Sequence, residues 1–180
     1  IVVLNFFRIL SWKNIAKIQW EVVALYAAAT AMGKGLAVTG AALYIADGFV
    51  SILPDFLRSG EGLIAAAGFF TAIATNFMSD GAAVSAIGPI TVPMATIANA
   101  TVGPTSPMLV GLATAFASSF AHIFVIGTPN NAIVYTMAKN PVTGKQLVSL
   151  GDFFRHGLTV WVLSMAVLIS WVIFGYWQWI

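Results

Sequence analysis

The chain has 180 residues, of which 59% are hydrophobic and 8% are charged, and its mean hydropathy is +0.92. A soluble domain carries about 25% charged residues, so this composition predicts a membrane protein with several helical spans. The lack of cysteine excludes disulfides and thiolate chemistry, and the net charge of +2 comes without the basic patch that nucleic-acid binding requires.

The N-terminal part is predicted to be a membrane segment followed by two apolar helices. We expect residues 1–10 to be the end of a membrane helix, and the chain to be a piece of a longer protein, because it starts with isoleucine and shows no signal peptide. Residues 11–19 are polar and basic, which is typical of a membrane interface. Residues 21–36 and 37–53 then predict two apolar helices within a first region, residues 1–62.

Two apolar arms flank a polar triplet in the middle of the chain. Residues 63–78 form the first arm, residues 79–81 (Ser-Asp-Gly) the tip and residues 82–98 the second arm. An arm of about 16 residues is about 24 Å long as a helix, whereas a spanning helix needs about 20 residues. The pattern predicts a re-entrant helical hairpin over residues 63–98.

A second apolar run is interrupted as well. Residues 108–126 are apolar, residues 127–131 read Gly-Thr-Pro-Asn-Asn, and residues 132–138 are apolar again. Many transporters build binding sites near the bilayer midplane from paired interruptions of this kind. We therefore predict a broken helix over residues 106–139 and assign residues 63–139 to a transport-type region.

The C-terminal region, residues 140–180, is predicted to be a polar loop followed by a transmembrane helix. Residues 139–156 are polar, and residues 157–180 are apolar with tryptophans suited to an aromatic belt. The basic residues cluster in two loops, at Arg8, Lys13, Lys17, Lys139, Lys145 and Arg155. The positive-inside rule then places both loops in the cytoplasm, so that the hairpin enters from the outside.

The polar breaks predict a cation site beside an anion site. An aspartate at helix-centre depth costs about 2.5–3.5 kcal/mol, so Asp80 is expected to face protein, water or a cation. Thr75, Asn76 and Ser79 lie within one turn of it and supply oxygen ligands, and the free carbonyls that end the first arm also favour a cation. The N–H groups that begin the second arm favour an anion. The same pairing recurs at residues 127–131.

Each of these features also has a plainer interpretation. Asp80 could lie in an ordinary surface loop between two short helices. The break at residues 127–131 could be a simple proline kink. His122 is better explained as a buried, hydrogen-bonded histidine than as a proton relay, and it lies far in sequence from His156, so no metal centre is predicted.

The residues at the two breaks resemble those of a known family. Residues 75–83, Thr-Asn-Phe-Met-Ser-Asp-Gly-Ala-Ala, resemble the Ser-Asn-Thr hairpin-tip motif of the divalent anion/sodium symporters, the carriers of dicarboxylates, citrate and sulfate. Residues 127–135, Gly-Thr-Pro-Asn-Asn-Ala-Ile-Val-Tyr, resemble that family's Thr-Pro-Pro-Asn-Ala-Ile-Val segment, which is the more specific motif. Residues 11–13, 20–21 and 33–40 are similar to the helix that precedes the family's hairpin.

The resemblance covers about residues 4–178 and implies an all-α membrane protein of the inverted-repeat ion-transporter type. In that family two inverted repeats each supply one hairpin and one broken helix, and this chain holds one of each. We therefore expect the C-terminal repeat of a transporter whose N-terminal repeat is missing here. The likeness further implies a homodimer in membrane lipid, an elevator-type mechanism and sodium as the coupling ion, with a proton as the alternative. We expect the protein to lie in a bacterial inner membrane.

The same likeness assigns roles to the residues at the breaks. Sodium would be held by Thr75, Ser79 and the backbone of Gly127, and a substrate carboxylate would meet the hairpin tip and Pro129. The candidate cation ligands are Thr75, Asn76, Ser79, Asp80, Gly127 and Asn131. The candidate ligands of a small anionic substrate are Ser79, Asp80, Gly81, Thr128, Pro129 and Asn130.

Three positions depart from the family pattern. Asp80 stands where the family has asparagine, so a donor amide becomes an acceptor, and Gly81 stands where it has threonine, so a hydroxyl is lost. A carboxylate beside a substrate carboxylate is repelled unless a cation or proton intervenes. Asn130 replaces the family's second proline and restores one donor.

The predicted function is cation-coupled symport of divalent anions such as dicarboxylates, by a protein that is not an enzyme. The sequence shows no nucleophile–base pair or metal cluster that would support a catalytic site. Two alternatives stay open: a sodium/proton antiporter or other ion carrier of the same fold that uses Asp80, and a non-transporting membrane subunit or fragment.

Overall fold

The computed structural model describes residues 20–179, and these residues form seven α-helices and no β-strand. The predictions for residues 1–19 and for Ile180 lie outside the described residues. The all-α fold class is confirmed for the part of the chain that is described.

The helices are numbered here in chain order. They are α1 (Trp20–Val38), α2 (Ala41–Ile52), α3 (Gly60–Ala74), α4 (Asp80–Thr101), α5 (Pro107–Ser118), α6 (Pro129–Met137) and α7 (Leu150–Ala166). A 3-10 turn, Asp55–Leu57, precedes α3. α7 continues as wider π-helical turns over Val167–Ile173 and ends with a 3-10 turn, Tyr176–Trp179.

Two of the described helical stretches are long and apolar enough to cross a bilayer. They are α4, with 22 residues, and α7 with its continuation, Leu150–Trp179, with 30 residues. The C-terminal half of α1, Thr30–Val38, makes a third candidate span together with α2, and this pair bends by 83°. Gly40 lies at the bend with a φ of 75°, a left-handed conformation that residues with a Cβ rarely adopt. α3 and α5 are apolar but shorter.

The predicted hairpin has a short first arm and a second arm longer than expected. α3 has 15 residues, but α4 extends beyond residues 82–98 at both ends, so the expectation that both arms are too short to cross a bilayer is wrong for α4. Ser79 explains the early start, because its side chain accepts the N–H of Ala82 at 3.4 Å. The turn after the helix is held by Asn99, whose amide exchanges hydrogen bonds of 2.6 and 2.9 Å with the backbone of Thr105.

The centre of the fold is a packed unit of α3, α4 and α5. α5 packs against both of the other helices. The residues buried there are mostly small, which lets the helix backbones approach closely. These small residues are Ala65, Ala67, Gly68, Ala72, Ala95, Ala113 and Ala117. Thr91 of α4 and Thr114 of α5 are fully buried and share a hydroxyl–hydroxyl hydrogen bond of 2.9 Å.

α2 and α7 add further helices to this unit. α2 contacts α4 through a cluster that includes Val50 and Met94. The π-helical continuation of α7 contacts α3 and buries Leu168 and Ile173 in the main core. The two breaks in the helices therefore adjoin a core that α7 helps to complete.

α7 begins earlier than predicted, at Leu150 rather than at residue 157. Ser149 and Asp152 form a capping box at its start, in which each side chain accepts the other residue's backbone N–H at 3.1 Å. The polar loop predicted over residues 139–156 is therefore shorter by almost two helical turns.

Candidate functional site

The first break, residues 75–79, separates α3 from α4. α3 ends because the N–H of Asn76 donates to the carbonyl of Ile73 at 3.2 Å instead of to that of Ala72. The carbonyl of Ala72 is capped by the side-chain amide of Asn76 at 2.7 Å and by the indole N–H of Trp161 at 3.0 Å. Two side chains thus take the place of the missing helical hydrogen bond.

The second break starts earlier and is longer than predicted. α5 ends at Ser118 and α6 begins at Pro129, so that residues 119–128 form the second break, whereas the sequence placed it at residues 127–131. Pro129 is the first residue of α6, a position where the missing N–H of proline costs nothing. The apolar helix predicted over residues 108–126 is therefore wrong in its last two turns.

Asn76 joins the first break to the second. It is 1% exposed. Its side-chain oxygen accepts the N–H of Ile123 at 2.8 Å, and its amide nitrogen donates to the carbonyl of Phe120 at 3.3 Å. Phe77 also packs its ring against that of Phe124, with centroids 5.3 Å apart. The structure thus brings the two breaks into direct contact.

Asn131 holds the second break from the side of α6. Its side-chain amide donates to the carbonyls of Ala121 at 2.6 Å and Phe124 at 3.0 Å. Its backbone N–H is accepted by the hydroxyl of Thr128 at 3.1 Å. Gly127 is buried here, and a methyl group on it would lie 3.1 Å from the side chain and 3.2 Å from the carbonyl of Ala121. The close turn therefore favours glycine.

Thr75 lies between the end of α5 and Asp80. Its hydroxyl donates to the carbonyl of Ser118, and the same oxygen lies 3.3 Å from the carboxylate of Asp80. A hydroxyl carries one proton, so it cannot donate fully to both oxygens at once. A cation or a proton shared between Thr75 and Asp80 would stabilise this arrangement.

Both breaks leave backbone groups unsatisfied. Among the described residues, none donates a hydrogen bond to the carbonyls of residues 76–78 or 125–127. Within the same part of the chain, the N–H groups of Gly81 and Asn130, in the first turns of α4 and α6, find no acceptor. Free carbonyls suit a cation, and free N–H groups at helix starts suit an anion.

The remaining predicted ligands occupy the starts of two helices. Ser79 and Thr128 are the N-caps of α4 and α6, and their hydroxyls are used in that role. Gly81, Pro129 and Asn130 lie in the first turns of the same helices. The structure therefore brings the cation candidates other than Ser79 together around the second break and the end of α5. No described contact links Ser79 to this group, or the substrate candidates of α4 to those of α6.

His122 lies in the second break and is partly buried. Its ring stacks on that of Phe120, with centroids 5.9 Å apart and an angle of 28° between the planes. No group of three or more histidine, cysteine or acidic side chains that could hold a metal occurs among residues 20–179. The candidate site is therefore one of hydroxyl, amide and carbonyl oxygens with one carboxylate.

Two residues of α7 that contact the breaks could not be identified from the sequence. A Cβ on Gly157 would overlap the carbonyl of His122, so α7 lies directly against the second break. Trp161, one turn later, donates to the end of α3. Tryptophans near a helix end suggested interfacial anchors, and only the packing of α7 reveals the hydrogen bond of Trp161.

Glu61 carries the one acidic side chain in the first turn of α3, away from both breaks. The side-chain amide of Gln178 donates to it at 3.0 Å, and this hydrogen bond lowers the pKa of the Glu61 carboxyl below its usual value. Glu61 therefore stays ionised at neutral pH and links the start of α3 to the end of the chain.

Comparison with known proteins assigns a family to this arrangement. A family model described as the sodium:sulfate symporter transmembrane region matches residues 1–180. The chain is 26% identical over 165 residues to a sodium-dependent dicarboxylate transporter of Staphylococcus saprophyticus, and 28% identical over 169 residues to the sodium-dependent high-affinity dicarboxylate transporter 3 of Caenorhabditis elegans. It is 26% identical over 168 residues to an uncharacterized transporter of Methanocaldococcus jannaschii. No solved structure matches.

These relatives are much longer than the chain. The matched parts cover 89%, 92% and 93% of this chain but only 29%, 26% and 35% of the three relatives, in the order given above. The chain thus spans about a third or less of their length. The family and the relatives are transporters, which confirms the prediction of a membrane protein that is not an enzyme.

Proposed function

Because the chain belongs to the sodium:sulfate symporter family, we propose that it supplies one part of the transport site of a cation-coupled secondary transporter of divalent anions. Dicarboxylates are the proposed substrates and sodium is the proposed coupling ion. Both proposals are supported by the names of relatives, which are sodium-dependent dicarboxylate transporters.

The observation that carries the proposal is the joining of the two breaks. Asn76 bonds to the second break from one side and Asn131 from the other, so that two interrupted helices share one non-helical segment. Free carbonyls and free N–H groups flank each of the two breaks. Interrupted helices that expose such groups are how transporters hold an ion and an anion inside a membrane.

This geometry, together with the family motifs, supports the following proposed roles. Sodium is coordinated by oxygens of Thr75, Ser79, Asp80 and Asn131 together with the backbone of Gly127. Asn76 remains a candidate sodium ligand, although its side-chain oxygen already accepts the N–H of Ile123. The substrate carboxylates are bound at the helix starts, at the residues from Ser79 to Gly81 and from Thr128 to Asn130.

The wider assembly is part of the same proposal. The chain acts as the C-terminal repeat, and a second repeat of the same transporter completes the site with an equivalent pair of breaks. α3 and α4 form a re-entrant hairpin that moves with α5 and α6 in an elevator-type shift within a homodimer. The proposed location is a bacterial inner membrane.

The test is uptake of labelled succinate into proteoliposomes that contain the complete transporter carrying this chain. We expect uptake to require an inward sodium gradient. The double variant Ser79→Ala, Pro129→Ala is expected to lower uptake by about tenfold or more. Ser79→Ala removes a hydroxyl, and a hydrogen bond to a charged group contributes about 1.5–3 kcal/mol, while Pro129→Ala removes the fixed backbone at the start of α6. Ser51→Ala, an exposed serine in α2, is the control. Sodium-driven uptake that the double variant leaves unchanged would refute the proposed site.

A proton-coupled carrier is the second candidate, and the contact between Thr75 and Asp80 favours it. The hydroxyl oxygen of Thr75 lies 3.3 Å from a carboxylate oxygen of Asp80 while the same hydroxyl donates to the carbonyl of Ser118, and a proton on Asp80 would stabilise this contact as well as sodium would. The family motif has asparagine at the position of Asp80, and asparagine cannot titrate.

Asp80→Asn separates the two candidates. Under sodium symport we expect the variant to keep sodium-driven succinate uptake within about threefold, because asparagine offers sodium an oxygen and does not repel a carboxylate. The measurement is uptake at pH 5.5, 6.5 and 7.5 with either a sodium or a proton gradient, and Asp47→Asn in α2 is the exposed control. Proton-driven transport in the wild type that disappears in Asp80→Asn would favour the second candidate.

A further inference from the structure

The end of α3 depends on a partner that is distant in sequence. The carbonyl of Ala72 receives two hydrogen bonds, one from the side chain of Asn76 and one from the indole of Trp161, which is 89 residues further along the chain. A carbonyl oxygen has two lone pairs, so the two donors saturate it. Trp161 and Asn76 are therefore bound to the same oxygen.

Packing restrains the Trp161 indole in this position. Its ring lies edge-on against that of Phe69 in α3, with centroids 5.8 Å apart and 60° between the planes. Gly157 lies one turn before it on α7, and residues four apart on a helix share a face. The same face of α7 therefore contacts the second break at His122 and the end of α3 at Ala72.

We propose that Trp161 is a positioning residue for the cation site. It acts through Ala72 and Asn76 and not by contact with the ion. By holding the carbonyl of Ala72 in the last turn of α3, the indole sets where the helix stops. It thereby sets where Thr75 and the free carbonyls of the first break lie relative to the second break. This inference rests on the proposed function, because it assigns the coupling cation to this site.

Loss of the indole N–H is expected to weaken sodium binding clearly and to change the maximal rate of uptake little. With Trp161→Phe, Ala72 keeps one partner, α3 can extend or fray by a residue, and the ligands of the first break lose their fixed spacing. We expect the half-saturating sodium concentration to rise about fivefold, which corresponds to about 1 kcal/mol at 1.4 kcal/mol per tenfold. Maximal uptake per folded transporter should stay within about twofold.

The transport measurement compares three forms of the complete protein in proteoliposomes: wild type, Trp161→Phe and Trp171→Phe. Trp171 belongs to the continuation of the same helix and is 75% exposed, so its replacement is the matched control. A merely structural role for Trp161 would lower the amount of folded protein and leave the half-saturating sodium concentration unchanged. An unchanged sodium dependence in Trp161→Phe would overturn the inference while leaving sodium symport intact.

Amide hydrogen exchange tests the positioning itself, whatever the ion or substrate. Exchange in the peptides that cover residues 72–81 and 119–128 should be at least about fivefold faster in Trp161→Phe than in Trp171→Phe or wild type. If the wild type shows no sodium-driven uptake, the proposed function is refuted. The comparison of exchange rates among the three forms still tests whether Trp161 positions the two breaks. Equal exchange in all three forms would overturn it.

An isosteric analogue covers the case in which Trp161→Phe does not fold. β-(3-Benzothienyl)alanine at position 161 keeps the bicyclic ring and replaces the N–H by sulfur, so that only the hydrogen bond to Ala72 is removed. The expected result is the same rise in exchange at both breaks with normal packing against Phe69. Wild-type exchange with this analogue would show that the ring, and not its N–H, is what matters.

Discussion

Replacing Asn76 with alanine is expected to reduce sodium-driven uptake by about tenfold or more. Asn76 is 1% exposed and makes three side-chain hydrogen bonds, to Ala72, Phe120 and Ile123. Alanine leaves the N–H of Ile123 without a partner, and an unpaired buried group costs about 1–3 kcal/mol. The carbonyl of Phe120 keeps only the hydrogen bond from the N–H of His122 at 2.9 Å. The two breaks then lose the side chain that joins them.

The control for this prediction is Asn140→Ala. Asn140 also accepts two backbone N–H groups through its side-chain oxygen, at 2.8 and 3.0 Å, but these bonds lie in an exposed turn. Thermal stability in detergent and succinate uptake are the two measurements. Asn76→Asp adds a finer distinction, since it keeps an acceptor for Ile123 and loses the donors to Ala72 and Phe120. Equal behaviour of Asn76→Ala and Asn140→Ala would contradict the joining role.

The second large effect is expected for Gly157→Ala. The added methyl group would overlap the carbonyl of His122 and lie 3.1 Å from the Cα of Ile123. Both neighbours are backbone atoms, which cannot rotate away as a side chain can. Either α7 moves outward or the second break moves away from Asn76, and overpacking of this kind costs about 1–3 kcal/mol. We expect uptake to fall by about tenfold with a clear loss of thermal stability.

Gly151→Ala is the matched control, because Gly151 lies in the same helix. A methyl group there would meet the hydroxyl of Ser149 at 3.7 Å, an ordinary contact. Alanine is the better helix former by about 1 kcal/mol, so this variant should be neutral or slightly stabilised. If Gly157→Ala matched it in stability and uptake, α7 could not be in contact with the second break as described.

The sequence predicted the existence of the helices better than the place where they stop. Runs of apolar residues identified α3, α4 and α5. The starts of α4 and α6 were predicted too late, at residues 82 and 132, whereas the caps Ser79 and Thr128 begin these helices at Asp80 and Pro129. The early end of α5 was not predictable in this way. Residues 119–126 are apolar and compatible with a helix, and the groups that hold them unwound come from elsewhere in the chain.

The candidate site shows the same limit. Asn76 and Asn131 were singled out as cation ligands, yet the structure uses most of their hydrogen-bonding capacity to hold the second break. Their partners are up to 47 residues away in the chain, so no local pattern reveals them. Trp161 is the extreme case, since its indole could be recognised as a helix cap only once α7 was placed against α3.

The distance between Ala72 and Trp161 along the chain has a consequence for biogenesis. The two residues are 89 positions apart, and at about 5–20 residues per second the ribosome needs about 4–18 s to proceed from one to the other. During that interval α3 and the first break are in the translocon or the bilayer without the indole that caps them. The carbonyl of Ala72 therefore has only Asn76 as its partner until α7 has been synthesised.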